Sequence, residues 1–169
     1  LLSGAVFCLG LTLVVVGGAE LFTGNTMIVM AWANHKVTTA ALLRNWGIVY
    51  LGNFAGAVAT AAIVFFSSHH AFASAGVGLG ALNTAKAKCG YGFLEAFLLG
   101  ILCNCLVCLA VWMTYSARST FDKVVAIFFP IAGFVAAGFE HSIANMYFIP
   151  YAMMVKEGAG EAFWAAAKT

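Results

Sequence analysis

Four long apolar runs alternate with short polar stretches, at about 1–34, 42–67, 91–116 and 121–154. A bilayer's hydrocarbon core is roughly 30 Å thick and takes ~20 helical residues to cross. Each run is therefore long enough to span. A spanning segment must satisfy its own backbone hydrogen bonds, which predicts α-helix in all four. The first and fourth runs are too long for one straight crossing, and each carries polar residues in its middle. The first is interrupted at GGAELFTGNT (17–26) and the fourth at GFEHSIAN (138–145). At membrane depth, unwound backbone is tolerated only where protein buries it or it lines a cavity. The pattern thus predicts two broken helices. The tail AGEAFWAAAK (159–168) is too short to span and reads as an interfacial amphipathic helix anchored by Phe163 and Trp164.

The two breaks match. Gly18, Glu20 and Asn25 recur as Gly138, Glu140 and Asn145 at a constant offset of 120 residues. Three crossings separate the copies, so the second runs through the membrane opposite to the first. That is an inverted repeat of discontinuous helices, an arrangement that places a binding site at the bilayer midplane. The expected architecture is one all-α integral membrane domain over 1–169, with repeat halves 1–67 and 91–169 joined by a loop, 68–90. A whole helix (91–116) precedes the second break and another (42–67) follows the first. The same logic expects six helices in the complete protein, of which this chain carries the second to fifth.

Composition agrees with a bilayer setting. The chain is 63% hydrophobic and 8% charged, whereas a soluble domain carries about 25% charged residues. A net charge of +2 is too small to suggest nucleic acid. Cys8, Cys89, Cys103, Cys105 and Cys108 fit no zinc or redox spacing and read as small packing residues. Charge does not orient the chain. Lys36, Arg44, Arg118 and Lys123 lie on one side; Lys86, Lys88, Lys156 and Lys168 lie on the other. The shorter loops of the first side favour the cytoplasm there.

A half-helix that starts after a break directs free N–H groups and its positive dipole end into the gap. Two such ends facing each other attract a small anion. His141 is the one histidine inside a membrane segment. An imidazole titrates near pH ~6.5 and can hold or release a proton there; an ionisable group at membrane depth marks function by default. Glu20 and Glu140 are expected to accept hydrogen bonds from backbone freed at the breaks and hold them open. Asn25 and Asn145 are expected to cap the second half-helices. Thr23 sits at the centre of the first break, at the level of His141 by the repeat. Gly24 beside it allows that loop to move. Phe7 and Leu11 share one helix face, and Phe134 lies four residues before Gly138; these three could pinch a path dry. In a membrane helix, however, such apolar residues are expected everywhere. Asn104 needs a partner in lipid, on the pore side or across a helix interface. Lys88 could draw anions to a pore mouth.

The strings AELFTGNTMIV, GNFAGA, LGILCNCLVCLAVWM, YSARS followed by DK, and GFEHSIANM followed by IP closely resemble the formate/nitrite transporter family. The likeness covers essentially the whole chain. In segments three and four it is most like the formate channels, with nitrite and hydrosulfide members as close rivals. The resemblance implies an aquaporin-like fold of six helices per protomer, a homopentamer with one pore in each protomer, and the bacterial inner membrane with both termini cytoplasmic. It implies His141 at the pore centre, Thr23 on a mobile loop opposite, and Asn104 beside the histidine. It puts Phe7, Leu11 and Phe134 in hydrophobic constrictions, Lys88 near the outer vestibule, and Val107 and Ala144 among further pore-lining positions. The family's first and sixth helices have no counterpart here, and a piece lacking them is not expected to assemble or conduct.

The function expected is a channel for small monovalent anions, formate foremost, with permeation coupled to or gated by protons at His141. A nitrite or hydrosulfide channel of the same family, or a neutral-solute channel of the aquaporin kind, are the alternatives. No metal constellation, nucleophile elbow or cofactor motif accompanies Glu140 and His141, so neither an enzyme nor a cofactor is expected.

Overall fold

The structure, a computed structural model, describes residues 2–168. Among these the chain is helical without a strand: α1 (Leu2–Gly17), α2 (Phe22–Asn25), α3 (Ile28–Ala33), α4 (Thr39–Phe66), a 3-10 turn (His69–Ala71), α5 (Gly76–Cys89), α6 (Phe93–Thr114), α7 (Thr120–Ala136), α8 (Ser142–Gly158) and α9 (Glu161–Ala166). At 1.5 Å per residue, α4 and α6 are each long and apolar enough to cross a bilayer alone. The α1–α3 segment reaches that length as a pair of rods bent by 61° at the break. Helices α7 and α8 have 17 residues each, about 25 Å apiece, and either alone falls short of the ~30 Å core.

By contact the chain groups into two units that cut across the proposed repeat halves. One comprises residues up to Leu51 with Leu94–His141; the other comprises Gly52–Phe93 with Ser142 onward.

In the first unit α1 packs along α7. Lipid is as apolar as leucine, so helices in a membrane associate by close packing, which small residues permit. A methyl group added at Gly4 would meet the Ala132 backbone at 3.0 Å. One turn later the single proton of the Cys8 thiol is shared between the carbonyls of Gly4 and Phe128, at 3.1 and 3.5 Å. Cys103, Val107, Ala110, Ile127 and Ile131 complete an almost fully buried core with Leu11 and Phe134. Large side chains such as Leu9, Leu13, Phe97 and Phe129 face outward. Helix α7 is started by a capping box: Ser119 Oγ accepts from the Asp122 N–H, and the Asp122 carboxylate accepts from the Ser119 N–H.

In the second unit α5 packs on α8, and two expectations are corrected. The connection 68–90, expected as a loop, holds the 3-10 turn and the 14-residue helix α5. Gly76, Gly78 and Gly80 argue against helix by propensity; tertiary packing overrides them. Phe163, expected to anchor the tail in the interface, is 4% exposed. It packs where Gly78 leaves room, since a methyl there would meet its ring at 2.5 Å. The His70 ring also lies against it, centred 5.5 Å away.

Candidate functional site

Both helix breaks fall where the polar residues interrupt the apolar runs. Each begins with the same backbone device. Gly18 and Gly138 have φ of +71° and +73°, the left-handed region that a side chain disfavours. The next residue's N–H then reaches back five positions: Ala19 to the Val14 carbonyl at 3.0 Å, Phe139 to the Phe134 carbonyl at 3.1 Å. This is the six-to-one bond of a Schellman C-cap, and it stops α1 and α7 in the same way.

Past the first break the backbone does not form a single half-helix. Helix α2 has four residues, and α3 starts after a turn at 26–27. The Thr26 hydroxyl donates to the Thr23 carbonyl at 2.7 Å, a local bond that competes with helical pairing. Asn25 is not a cap. The N-cap position of α2 is Leu21, with no side-chain bond, and Asn25 ends the helix. Its amide donates to the Glu20 carboxylate and, at 3.0 Å, to Asn45 Oδ1 on α4. Trp46 Nε1 donates to the Asn25 carbonyl at 3.0 Å. The Phe22 ring meets those of Trp46 and Tyr50, at 6.4 and 5.1 Å. Helix α4 therefore clamps one side of the break through residues the sequence reading did not single out.

Helix α6 holds the other side. The Asn104 amide donates to Thr26 Oγ1 at 3.0 Å, and Cys108 Sγ lies 3.4 Å from the same oxygen. Asn104 and Cys108 are four residues apart and share a helix face, a signal readable in the sequence. Thr23 is buried, and neither its hydroxyl nor Asn104 Oδ1 has a hydrogen-bond partner among the described residues. Gly100, one turn earlier on that face, lets α6 approach the second break; a methyl there would lie 3.9 Å from the Glu140 carbonyl.

Glu140 and His141 are both buried at 7% exposure. The imidazole lies against two phenyl rings, Phe7 at 6.0 Å and Phe134 at 5.7 Å between centroids. Those rings meet edge-on at 5.5 Å. Leu11, Val107 and Phe134 belong to one buried cluster, with Phe7 packed against it. The structure thus brings together His141, Phe7, Phe134, Leu11 and Val107, and separately links Thr23 to Asn104 through Thr26. A cavity of ≈ 530 Å³ beside the first break is lined by Leu11, Gly18, Gly24, Asn25, Val111 and Thr114 among others. In the second unit, Ala144 and Asn145 are the third and fourth residues of α8, which puts Asn145 inside the helix rather than at its cap. Lys88 lies near the end of α5 with its ammonium 5.9 Å from the Phe148 ring centre.

The arrangement compares closely with known proteins. The family model described as formate/nitrite transporter matches residues 1–167. The chain is 44% identical over 164 residues to the formate channel FocA of Haemophilus influenzae, covering 97% of this chain and 58% of that protein. It is 46% identical over 166 residues to the formate channel FocA of Escherichia coli, covering 98% and 58%. Among solved structures, a pentameric formate channel with formate bound superposes with a TM-score of 0.94 at 45% identity, over 99% of this chain and 66% of that one. An ion channel of the same family gives 0.81 at 31% identity, over 96% and 66%. The chain spans 58% of the length of these curated relatives. With the family model matching residues 1–167 and both helix breaks in place, the chain belongs to the formate/nitrite transporter family.

Proposed function

We propose that the full-length protein is a channel for small monovalent anions, formate foremost, whose passage is coupled to a proton on His141. The observation that carries this is the buried imidazole at a helix break, packed between Phe7 and Phe134. A bare carboxylate in a dry apolar passage carries a Born cost of tens of kcal/mol. An imidazolium there supplies the countercharge or hands over its proton, and the acid passes neutral. Simple carboxylic acids titrate near pH ~4 in water, so that transfer is uphill until the anion is desolvated and its affinity for a proton rises. Leu11, Phe7 and Phe134 form the dry constriction in this reading, with Val107 and Ala144 lining the path and Thr23 and Asn104 as the polar contacts on it. Lys88 draws anions to the outer mouth through its field.

The matched Schellman caps at Gly18 and Gly138 support an aquaporin-like inverted repeat, with this chain as the second to fifth of six helices. The likeness to a pentameric formate channel supports a homopentamer, and the bacterial formate channels among the relatives support the bacterial inner membrane as its setting. The test is formate flux through the full-length protein in liposomes, scanned over pH. His141→Phe is expected to abolish the proton-coupled component; an unchanged pH dependence in that variant rejects the reading.

A further inference from the structure

Counting protons around Thr26 assigns a role the channel reading leaves open. A threonine hydroxyl carries one proton. The Thr23 carbonyl, 2.7 Å from Thr26 Oγ1, can only accept, so that proton is committed to it. Any other group bonded to Thr26 Oγ1 must then donate. Asn104 is 3.0 Å away and must present its NH₂ group there. The amide orientation follows from this count alone: Asn104 Oδ1 is the end turned away from Thr26. That oxygen is buried without a hydrogen-bond partner among the described residues, and so is Thr23 Oγ1. Unsatisfied buried polar atoms cost ~1–3 kcal/mol each. Two of them, on residues joined through one hydroxyl, mark a place that a solute completes.

We infer that Thr26 is a positioning residue for permeation. By taking an Asn104 N–H it holds Oδ1 as a pure acceptor toward the solute, while the Thr23 hydroxyl, on the residue whose carbonyl holds Thr26, can donate or accept. One acceptor and one two-way hydroxyl fit a protonated oxyacid, whose O–H donates while its C=O accepts. They fit a permanently charged anion poorly, because both Asn104 N–H groups are turned inward, one to Thr26 Oγ1 at 3.0 Å and the other toward Cys108 Sγ at 3.7 Å. The inference rests on the channel reading and deepens it by assigning the group that selects the protonated form.

The experiment is the ratio of formate to nitrate permeability of the full-length protein in liposomes at one fixed pH, nitrate being an anion that does not protonate in water. Thr26→Val keeps the side-chain shape and removes the hydroxyl, so the amide is free to turn its N–H toward the solute. The ratio is expected to fall roughly fivefold to tenfold, the worth of one hydrogen bond. Thr26→Ser is expected to keep the unmodified ratio. In an Asn104→Leu background, Thr26→Val is expected to change the ratio no further, because Thr26 acts through that amide. An unmodified ratio in Thr26→Val, or an equal drop in the Asn104→Leu background, overturns the assignment. Loss of protein assembly in these variants leaves a measurement on the unsubstituted channel. Labelling asparagine with ¹³C and ¹⁵N and cysteine with ¹³C picks out Asn104 through its bond to Cys103 and reaches its side-chain amide through its own carbons. Its side-chain amide protons are expected to be hydrogen-bonded and protected from exchange, and free amide protons there overturn the inference. A channel that passes no formate at all would instead remove the channel reading and leave the hydrogen-bond assignment standing.

Discussion

Gly18 and Gly138, 120 residues apart, adopt φ of +71° and +73° and are each followed by an N–H that bonds five residues back. One backbone device thus ends two helices that enter the same unit. A methyl added at either glycine would meet nothing within 4 Å, so the demand for glycine there is conformational rather than steric.

That separation gives a graded prediction. A non-glycine residue in the left-handed region costs roughly 1–2 kcal/mol, and asparagine tolerates it best. Gly18→Asn and Gly138→Asn are expected to lower the thermal midpoint of the full-length protein less than the matching alanine variants, and valine is expected to lower it most. Equal midpoints for all three would mean the positive φ is not retained.

The clamp on the first break is testable without touching the proposed path. Trp46→Phe keeps the ring against Phe22 and removes the bond to the Asn25 carbonyl; Asn45→Ala removes the acceptor for the Asn25 amide. Each is expected to destabilise by about 0.5–1.5 kcal/mol. Amide hydrogen exchange over 22–27 is expected to speed up, while exchange over 142–158 stays as it was.

At the histidine, Phe134 is 2% exposed and touches both Phe7 and His141. Phe134→Ala opens the packing on both, and truncating a buried phenylalanine costs about 3–5 kcal/mol. Reduced thermal stability is expected and, on the proposed channel reading, a chloride flux in liposomes above that of the unmodified protein. An unchanged chloride flux after the truncation would take Phe134 out of the proposed constriction.

In the second unit, Gly78→Ala drives a methyl into the Phe163 ring. Overpacking of this kind costs typically ~1–3 kcal/mol. Phe163→Leu is expected to relieve most of that cost, so the double variant is more stable than the two single losses predict when summed. Additive losses in thermal unfolding would place the strain elsewhere.

Much of the site was legible because its residues violate the local pattern. A carboxylate, an imidazole and an amide in an apolar run are costly at membrane depth, and Glu140, His141 and Asn104 stood out for that reason. Cys108 and Thr26 did not, because a cysteine in a membrane helix and a threonine in a turn cost little by themselves. Asn45 and Trp46 lie beside Arg44 at the start of a run, where polar and aromatic residues cost little, so nothing local marks them. Asn25 was legible as a break residue but not in its role: its amide turns to Glu20 and Asn45, a choice that depends on where α4 lies.

The sequence by itself determined the helical class, the places where two helices stop, and the family, since apolar run length and the G-x-E spacing act locally along the chain. Tertiary structure decided which side chains meet: the clamp from α4, the Thr26 link from α6 to the first break, the two rings on His141, and the helix between 76 and 89 that three glycines argue against. Those contacts join residues up to 134 positions apart. Their energies come from close packing and from pairing buried polar atoms, which no local pattern encodes.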